Sequence, residues 1–296
     1  MIPIRYVEPV FRPPSEAESL ILPVTDGCSW NECTFCEMYT APQKKFRARD
    51  ESEVLESIRL TGERYGDQVR RIFLADGDAT VLPTRRLLAI LEAIRSHLPA
   101  VRRVSSYCLP RNLRKKSQQE IDELAAAGLS MVYVGAESGD DEVLAAVNKG
   151  ETFETTREAL DKLGAAGITR SVMILNGLGG KVHSRQHADN SARLANATQP
   201  EYLATLVVSF PMGEQRFRAG FPEWEPLSQH ELFVETEQLL SALELKRTVF
   251  RSDHASNWLV LKGTLGADKA RLLAQVRQAI EAPEQAHLRP AWARGL

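Results

Sequence analysis

Residues 19–39 read SLILPVTDGCSWNECTFCEMY, a short apolar run followed directly by three cysteines. The run at 19–25 has the length and composition of a buried strand. The cysteines then fall on the loop at the carboxyl end of that strand, the edge where barrel active sites form. Cys28, Cys33 and Cys36 lie within nine residues, and in a reducing compartment such crowding indicates metal ligation over disulfides.

Strand-like and helix-like stretches alternate along the rest of the chain. They make six strand–helix repeats, which predict a parallel sheet with helical crossovers. Continuously apolar strands fit a sheet that is covered on both faces. We predict a partial (β/α)6 TIM-like barrel with a C-terminal α/β extension, and a Rossmann-type open sheet is the alternative. The predicted strands are 19–25, 70–75, 101–107, 129–137, 168–177 and 201–210, and the predicted helices are 51–66, 83–98, 117–128, 140–147 with 152–167, 184–197 and 228–243.

The domain organisation follows from the same pattern. Residues 1–18 are expected to be an irregular leader, because several prolines break regular structure there. Residues 19–215 are expected to form the barrel core. Residues 216–296 are expected to close the barrel with a strand at 247–252 and a helix at 267–281. No segment is rich enough in Gly, Ser or Pro to mark a linker to an independent domain.

The composition restricts the classes of function. The chain has 296 residues, 43% hydrophobic and 26% charged, which is ordinary for a globular protein. Its net charge of −2 favours neither nucleic acid nor an anionic membrane. No stretch approaches the roughly 18 consecutive apolar residues of a membrane helix, and the N-terminus has no apolar signal core. We therefore expect a cytoplasmic protein without membrane partners.

Three thiolates on a short loop can hold three irons of a [4Fe–4S] cluster and leave the fourth iron open. A structural zinc site would need four ligands. The fourth cysteine, Cys108, lies far along the chain. Zinc, or a cluster fully ligated with the help of Cys108, remains the alternative.

The segment Cys28-x4-Cys33-x2-Cys36, with Phe35 before the last cysteine, resembles the radical S-adenosylmethionine (radical SAM) superfamily. Its usual motif is C-x3-C-x2-C, so the first spacer here is one residue longer. The resemblance runs from about residue 19 to 215 and is closest to the branch with Elongator-type and methylthiotransferase-type radical domains. It implies a [4Fe–4S] cluster on the three cysteines, S-adenosylmethionine as cofactor, and reductive cleavage to a 5′-deoxyadenosyl radical that abstracts hydrogen from a substrate. It also implies a reductant such as flavodoxin or ferredoxin.

The resemblance assigns cofactor contacts to residues at the ends of the first strands. Phe35 occupies the aromatic position of the motif. Asp76-Gly77-Asp78 aligns with a Gly-Gly-Glu-like turn that receives the methionine amino group, and Asp78 takes the glutamate role. The alternative is an ordinary Asp-Gly turn. Glu137 would accept hydrogen bonds from the cofactor's sugar hydroxyls or amino group.

Further cofactor contacts follow on later strands. Ser138 follows the strand-ending glutamate, where the alternative is a helix N-cap. Lys149 would reach the methionine carboxylate, or else be a solvated lysine before a turn. Asn176, Gly177 and Ser209 belong to the stretches that the family uses to cradle adenine.

Three residues are candidates for contact with substrate. Tyr107 and Cys108 end the third strand, where Cys108 would donate a hydrogen atom or simply be a small buried residue. His254 lies in a polar run of the C-terminal region, and a structural role is its alternative. The basic run at 44–49 is expected to be a solvated loop, with phosphate or RNA binding as the alternative.

The expected activity is hydrogen abstraction from a small-molecule substrate at a single cluster, since no further cysteine group exists for a second one. One alternative is an RNA-modifying radical SAM enzyme. The other is a non-enzymatic iron–sulfur or zinc protein that senses redox state.

Overall fold

The computed structural model of the protein describes residues 3–294. Residues 1–2 of the predicted leader and residues 295–296 of the predicted extension lie outside this range. The strands are β1 (Leu20–Pro23), β2 (Thr25–Asp26), β3 (Arg47–Ala48), β4 (Arg71–Ala75), β5 (Arg103–Tyr107), β6 (Leu129–Glu137), β7 (Thr169–Asn176), β8 (Tyr202–Val207), β9 (Val249–Ser252) and β10 (Leu261–Thr264). The helices are α1 (Glu51–Tyr65), α2 (Thr84–His97), α3 (Gln118–Ala126), α4 (Asp141–Ala146), α5 (Phe153–Ala165), α6 (Gly180–Thr198), α7 (Gln215–Gly220), α8 (Gln229–Ala242) and α9 (Lys269–Glu281).

The described residues divide into two compact units. The first contains residues 3–31, 36–134 and 161–170, and the second contains residues 32–35, 135–160 and 171–294. In the first unit β1, β4, β5 and β6 pair in parallel in that order. Helices α1, α2 and α3 each connect one of these strands to the next, as parallel pairing requires.

The core of the first unit explains why its strands form where they do. Almost every residue of β1 and β4 is buried, so both strands are covered on both faces. One cluster joins Ile21, Phe73, Ala75, Met131 and Tyr133 from three of the strands. The short strands β2 and β3 pair antiparallel beside this core.

The second unit contains parallel strands β7, β8 and β9, with β10 added antiparallel to β9. Helix α8 packs against α6 and α9. An apolar cluster in this unit includes Val143, Val147, Leu178, Phe217 and Trp224.

The predicted α/β fold with a mostly parallel sheet is confirmed, and so is the alternation of strand and helix. Helix α7, strand β10 and the β2–β3 pair were not predicted, because each is too short to show a periodic pattern. Helix α6 begins at Gly180, four residues before the predicted start, because the glycine-rich turn, in which Gly180 has a left-handed φ of 58°, leads directly into the helix and hides its start from the periodic pattern.

The leader is tied to the first unit through a buried carboxylate. Glu16 lies in a short 3-10 helix, Pro14–Glu16, and is fully buried. The Tyr133 hydroxyl donates to Glu16 at 2.6 Å, and Arg103 forms an ion pair with it at 2.9 Å. The end of the leader therefore belongs to the packed structure.

None of the helices within residues 3–294 combines the length and apolar character that crossing a membrane requires.

Candidate functional site

The cysteine loop follows β2 directly. Cys28, Cys33 and Cys36 are each partly exposed, whereas Cys108 is buried with 1% of its surface accessible. The turn after β4 lies against the first cysteine, because a Cβ atom on Gly77 would come within 2.9 Å of the Cys28 Cα. Only glycine fits there, so the close approach of this turn to the cysteine loop requires Gly77.

The long spacer after Cys28 is anchored at each of its first residues. The backbone amide of Ser29 donates to Asp78 Oδ1 at 3.2 Å, and the Ser29 hydroxyl donates to Asp78 Oδ2. The Trp30 ring lies under the guanidinium of Arg111, 3.6 Å from its centroid. This cation–π contact and the two hydrogen bonds fix the spacer against the turns after β4 and β5.

Asn31 is the third anchor of the spacer. It adopts a left-handed φ of 49°, and its side-chain amide donates to the Tyr39 carbonyl oxygen at 3.0 Å. Asparagine is one of the few residues that tolerates this conformation. The longer spacer is therefore accommodated by a left-handed turn whose side chain ties the loop to its own far end.

Asp76 forms a buried ion pair that the sequence did not suggest. Lys44, which is completely buried, contacts Asp76 Oδ2 at 2.6 Å, and the Gly27 amide donates to the same oxygen at 3.2 Å. Burial raises the pKa of Asp76, against the opposing Lys44 charge. The expectation that the basic run is solvated is wrong for Lys44 and for Arg49, which pairs with Asp26 at 2.7 Å. A run of cations in a sequence predicts an exposed segment, because the acidic partners that would allow burial lie far away in the chain.

Asp78 is fully buried beside the loop. Burial raises its pKa to about 6, although hydrogen bonds from Ser29 and Asn112 oppose this shift. The Asn112 side-chain amide lies 3.4 Å from Asp78 Oδ2. The predicted amino-group acceptor thus also holds the residue that follows Cys28.

Tyr39 is a residue of this region that the sequence analysis missed. Its hydroxyl is buried and finds no hydrogen-bond partner among residues 3–294. Burial raises the pKa of Tyr39 well above its usual value, and the charges of Asp76, Tyr107, Cys36 and Cys28 add to the shift. The phenol therefore stays protonated near the cysteine loop, as a hydrogen-bond donor. The position of Tyr39, three residues after Cys36, was the sequence signal that could have indicated its place near the cysteine loop.

Tyr107 and Cys108 end β5 in different environments. The Tyr107 ring packs edge-on against Phe73, with centroids 5.1 Å apart, and against Tyr133. The Cys108 amide donates to the Tyr133 carbonyl oxygen at 2.9 Å, and its thiol contacts the Leu109 carbonyl oxygen at 3.6 Å. These contacts favour the buried structural role for Cys108.

Three predicted cofactor contacts come together in the second unit. Lys149 Nζ lies 3.1 Å from Glu137 Oε1 and 5.8 Å from the centroid of the Phe35 ring. Glu137 has a left-handed φ of 64°, and a side chain on Gly135 would overlap its carboxylate. Strain of this kind is maintained only where the surroundings enforce it and is common at functional sites. Lys149 is 5% exposed, so the solvated interpretation of this residue is wrong.

Ser138 is not the N-cap of the following helix. Asp140 occupies that position and accepts from the amides of Glu142 and Val143. Ser138 is fully buried, and its hydroxyl contacts His187 Nδ1 at 2.7 Å. Asp140 precedes α4 directly, which explains why its carboxylate caps the helix.

Asn176 and Gly177, at the end of β7, are bound to α8. The Asn176 amide donates to the Thr236 hydroxyl at 3.2 Å, and the Gly177 amide donates to Glu235 Oε1 at 2.6 Å. The buried Glu235 carboxylate also accepts from Ser184 at 2.6 Å. Glu235 thus holds the predicted adenine-binding turn in place. The sequence analysis missed this residue because it is 58 positions from Gly177.

Ser209 follows β8 and is half-buried. His254 contacts the Ser256 hydroxyl at 2.9 Å within its own loop. Burial lowers the pKa of His254, and the charge of Arg289 contributes. A neutral imidazole held by its own loop is consistent with the structural alternative for His254.

The cysteine loop has the donor chemistry for an iron–sulfur cluster. Three thiols lie on one loop, the Gly77 backbone packs directly against Cys28, and the Tyr39 phenol is a buried donor. Among residues 3–294, no group of three or more His, Cys, Asp or Glu side chains is already arranged around a metal position.

A parallel α/β fold whose first strands lead into a three-cysteine loop is an arrangement that suits an iron–sulfur protein. Residues 22–195, more than half of the chain, match the radical SAM superfamily, and the chain belongs to that superfamily. It is therefore an enzyme of the radical SAM type. Members of this superfamily use a [4Fe–4S] cluster and S-adenosylmethionine, which confirms the expected cofactors at the level of the family.

Solved structures of radical SAM enzymes share the fold. Coproporphyrinogen III oxidase (HemN) from Escherichia coli is 16% identical with a TM-score of 0.56, and the match covers 75% of this chain and 52% of that one. The methyltransferase TsrM from Kitasatospora setae, solved with cobalamin and a [4Fe–4S] cluster, is 20% identical with a TM-score of 0.52, covering 63% and 36%. Methylornithine synthase (PylB) is 14% identical with a TM-score of 0.54, covering 92% and 74%.

The chain thus spans about a third of the TsrM chain and half of the HemN chain, and at these identities the likeness concerns the fold alone. No curated protein sequence matches the chain significantly.

Proposed function

We propose that this chain cleaves S-adenosylmethionine reductively and uses the product to abstract hydrogen from a small organic substrate. The superfamily match that includes the loop with Cys28, Cys33 and Cys36 is the observation that carries this proposal. In the proposal these thiolates ligate one [4Fe–4S] cluster. When bound, the cluster and S-adenosylmethionine supply a 5′-deoxyadenosyl radical, and the protein supplies binding and orientation.

The binding roles follow from the two groups of charged residues. Lys149 provides a buried cation for the methionine carboxylate, and its neighbour Glu137 accepts from the sugar hydroxyls or the amino group. Asp78 accepts from the amino group while it holds Ser29. A cation and carboxylates of this kind match a zwitterionic ligand by charge-assisted hydrogen bonds.

The adenine contacts are proposed at the ends of β7 and β8. Gly177 has a left-handed φ of 80°, a conformation that glycine adopts readily, and this shapes the turn at the end of β7. Asn176 and Ser209 supply polar groups near the same strand ends. Tyr107 is proposed to contact substrate from the end of β5.

Anaerobic reconstitution with iron and sulfide, followed by dithionite and S-adenosylmethionine, tests the proposal. We expect about four irons per chain and formation of 5′-deoxyadenosine. Replacing Cys28, Cys33 or Cys36 by serine should abolish both, and the matched variant C108S should retain both. A protein with its full iron content that forms no 5′-deoxyadenosine would overturn the proposed activity. Loss of iron in C108S would instead support a fully ligated cluster.

The ion pairs formed by the basic run at 44–49 favour a small-molecule substrate over RNA. Lys44 is buried against Asp76, and Arg47 and Arg49 share the single carboxylate of Asp26, so two of the four positive charges of the run are already neutralised locally. We expect no shift of bulk tRNA by the reconstituted protein at moderate salt. Tight, salt-dependent tRNA binding would support the RNA-modifying alternative.

A further inference from the structure

The segment before β3 presents an exposed, cationic and apolar surface on the first unit. Lys45 is exposed, and Phe46 retains 36% of its accessible surface, which is unusual for a large aromatic side chain. An open cleft of about 500 Å³ lies here, and its described lining contains cations and apolar groups but no carboxylate. The lining residues are Val7, Pro42, Gln43, Lys45, Phe46 and Arg47.

This surface belongs to the segment that pairs with the residues directly before the cysteine loop. A Cβ atom on Gly27 would overlap the Lys44 carbonyl oxygen and would lie 3.1 Å from the Phe46 amide nitrogen. Gly27 immediately precedes Cys28. The backbone of residues 44–46 therefore packs closely against the residue that precedes the first proposed cluster ligand.

The surface is also held rigidly. Strand β3 pairs with β2 in the register Asp26 to Arg47, and the Arg47 side chain contacts Asp26 at 2.7 Å while remaining 59% exposed. Beneath it, the buried Lys44–Asp76 pair fastens the same segment to the turn after β4. A docked molecule would thus meet a preformed surface at a fixed distance from the loop.

We propose that the surface formed by Lys45, Phe46 and Arg47 docks an acidic one-electron carrier protein that reduces the cluster. The inference rests on the proposed function, because it assigns the entry point of the electron that the function requires. One electron leaves the reduced carrier and is gained at the cluster, and no bond is formed or broken in the transfer. Electron transfer weakens steeply with distance, so a surface next to the residues that lead into the loop is an effective place for a carrier.

Charge and shape support a protein carrier over RNA at this surface. The whole chain carries a net charge of −2, so an acidic partner gains attraction only where cations are concentrated. A central exposed aromatic residue with a cationic rim is typical of protein interfaces. The surface offers one exposed lysine and one partly neutralised arginine, fewer cations than the several phosphate contacts of a nucleic-acid site.

The test compares K45E with K115E, which reverses another exposed lysine of the same unit. Reconstituted wild-type and variant proteins are reduced by a flavodoxin and its reductase, and the reduced cluster is followed by electron paramagnetic resonance. At low ionic strength we expect K45E to raise the flavodoxin concentration needed for half-maximal reduction on the order of tenfold. F46A should also weaken reduction by flavodoxin, and K115E should not.

Dithionite separates this inference from the proposed function. Reduction by dithionite and the 5′-deoxyadenosine that follows should be unchanged in K45E. Wild-type flavodoxin kinetics in both K45E and F46A would overturn the docking surface, as would a loss of tRNA binding in K45E without any change in flavodoxin kinetics. Absence of 5′-deoxyadenosine in wild-type protein with dithionite would overturn the proposed function, while reduction of the cluster by flavodoxin could still be measured.

Discussion

Burial governs the protonation of Asp78. Its unfolded-state pKa is near 3.8, and in the fold burial raises the pKa to about 6. Between these values the folded protein holds a proton that the unfolded chain has released. The contribution of Asp78 to stability is therefore most favourable at low pH and is lost as pH rises towards and through 6.

We expect the D78N variant to lack this pH dependence. Between pH 5 and pH 7 the free energy of unfolding of wild-type protein should fall by about 1 kcal/mol relative to D78N. Over this range Asp78 of the folded protein releases its proton, whereas Asp78 of the unfolded chain is already ionised. Chemical denaturation of both proteins at the two pH values measures the difference. An identical pH profile would mean that Asp78 is ionised throughout.

Lys149 provides the second prediction for a single residue. Replacement by methionine removes the only charge that we assign to the methionine carboxylate, so the dissociation constant of S-adenosylmethionine should rise about ten- to a hundredfold. Calorimetry on the reconstituted protein measures it, and K149R should be intermediate because the charge remains. The matched variant is K181M, at an exposed lysine paired with Glu225 at 3.6 Å, which should bind normally. Unchanged affinity in K149M would remove Lys149 from the cofactor site.

The cysteine loop is the element whose sequence departs from the usual motif. Its spacer is one residue longer, and the structure accommodates this length by a left-handed turn at Asn31 with a hydrogen bond to the Tyr39 carbonyl oxygen. A left-handed φ is strained for most residues that have a β-carbon, but Gly avoids the strain and Asn offsets it by a local hydrogen bond. Asn and Gly should therefore be tolerated at position 31 better than Ala.

We expect N31A to be less stable than N31G by about 1 kcal/mol, although both lose the same hydrogen bond. The free energy of unfolding and the iron content after reconstitution measure the effect, and N31A should also retain less iron. Equal behaviour of the two variants would show that the left-handed turn does not constrain the loop.

The second unit of the molecule depends on its C-terminal elements. Helix α8 buries Leu232, Phe233, Leu239 and Leu240, and strand β9 pairs with β8. The predicted boundary at residue 215 would separate these partners, since β8 lies before it.

We therefore expect a protein that ends at residue 215 to be unfolded or insoluble, because the loss of α8 and β9 uncovers the face of α6 and the edge of β8 that they cover and removes several kcal/mol of burial. Far-ultraviolet circular dichroism and size-exclusion chromatography measure this. A soluble, cooperatively folding 1–215 fragment would establish the core as an independent domain. A protein without residues 283–294, which follow α9, is the matched control and should keep the fold.

The sequence by itself determined the alternating α/β fold, the cysteine loop and the family. These depend on local information. Hydrophobic periodicity reports strands and helices because burial repeats with the geometry of each element. The three cysteines are close in the chain, so their proximity needs no folding to be recognised. Glu137 and Lys149 are also close in the chain, 12 positions apart with α4 between them.

Only the tertiary structure decided which charges are paired. Lys44 and Asp76 are 32 positions apart, and Gly177 and Glu235 are 58 apart. The sequence predicts that a lysine in a basic run is solvated, since its buried carboxylate partner is distant in the chain. Burial and partner choice for polar groups depend on long-range packing, because a buried charge is stable only when a distant partner compensates it. That packing fixes the surface of Lys45, Phe46 and Arg47 beside the cysteine loop.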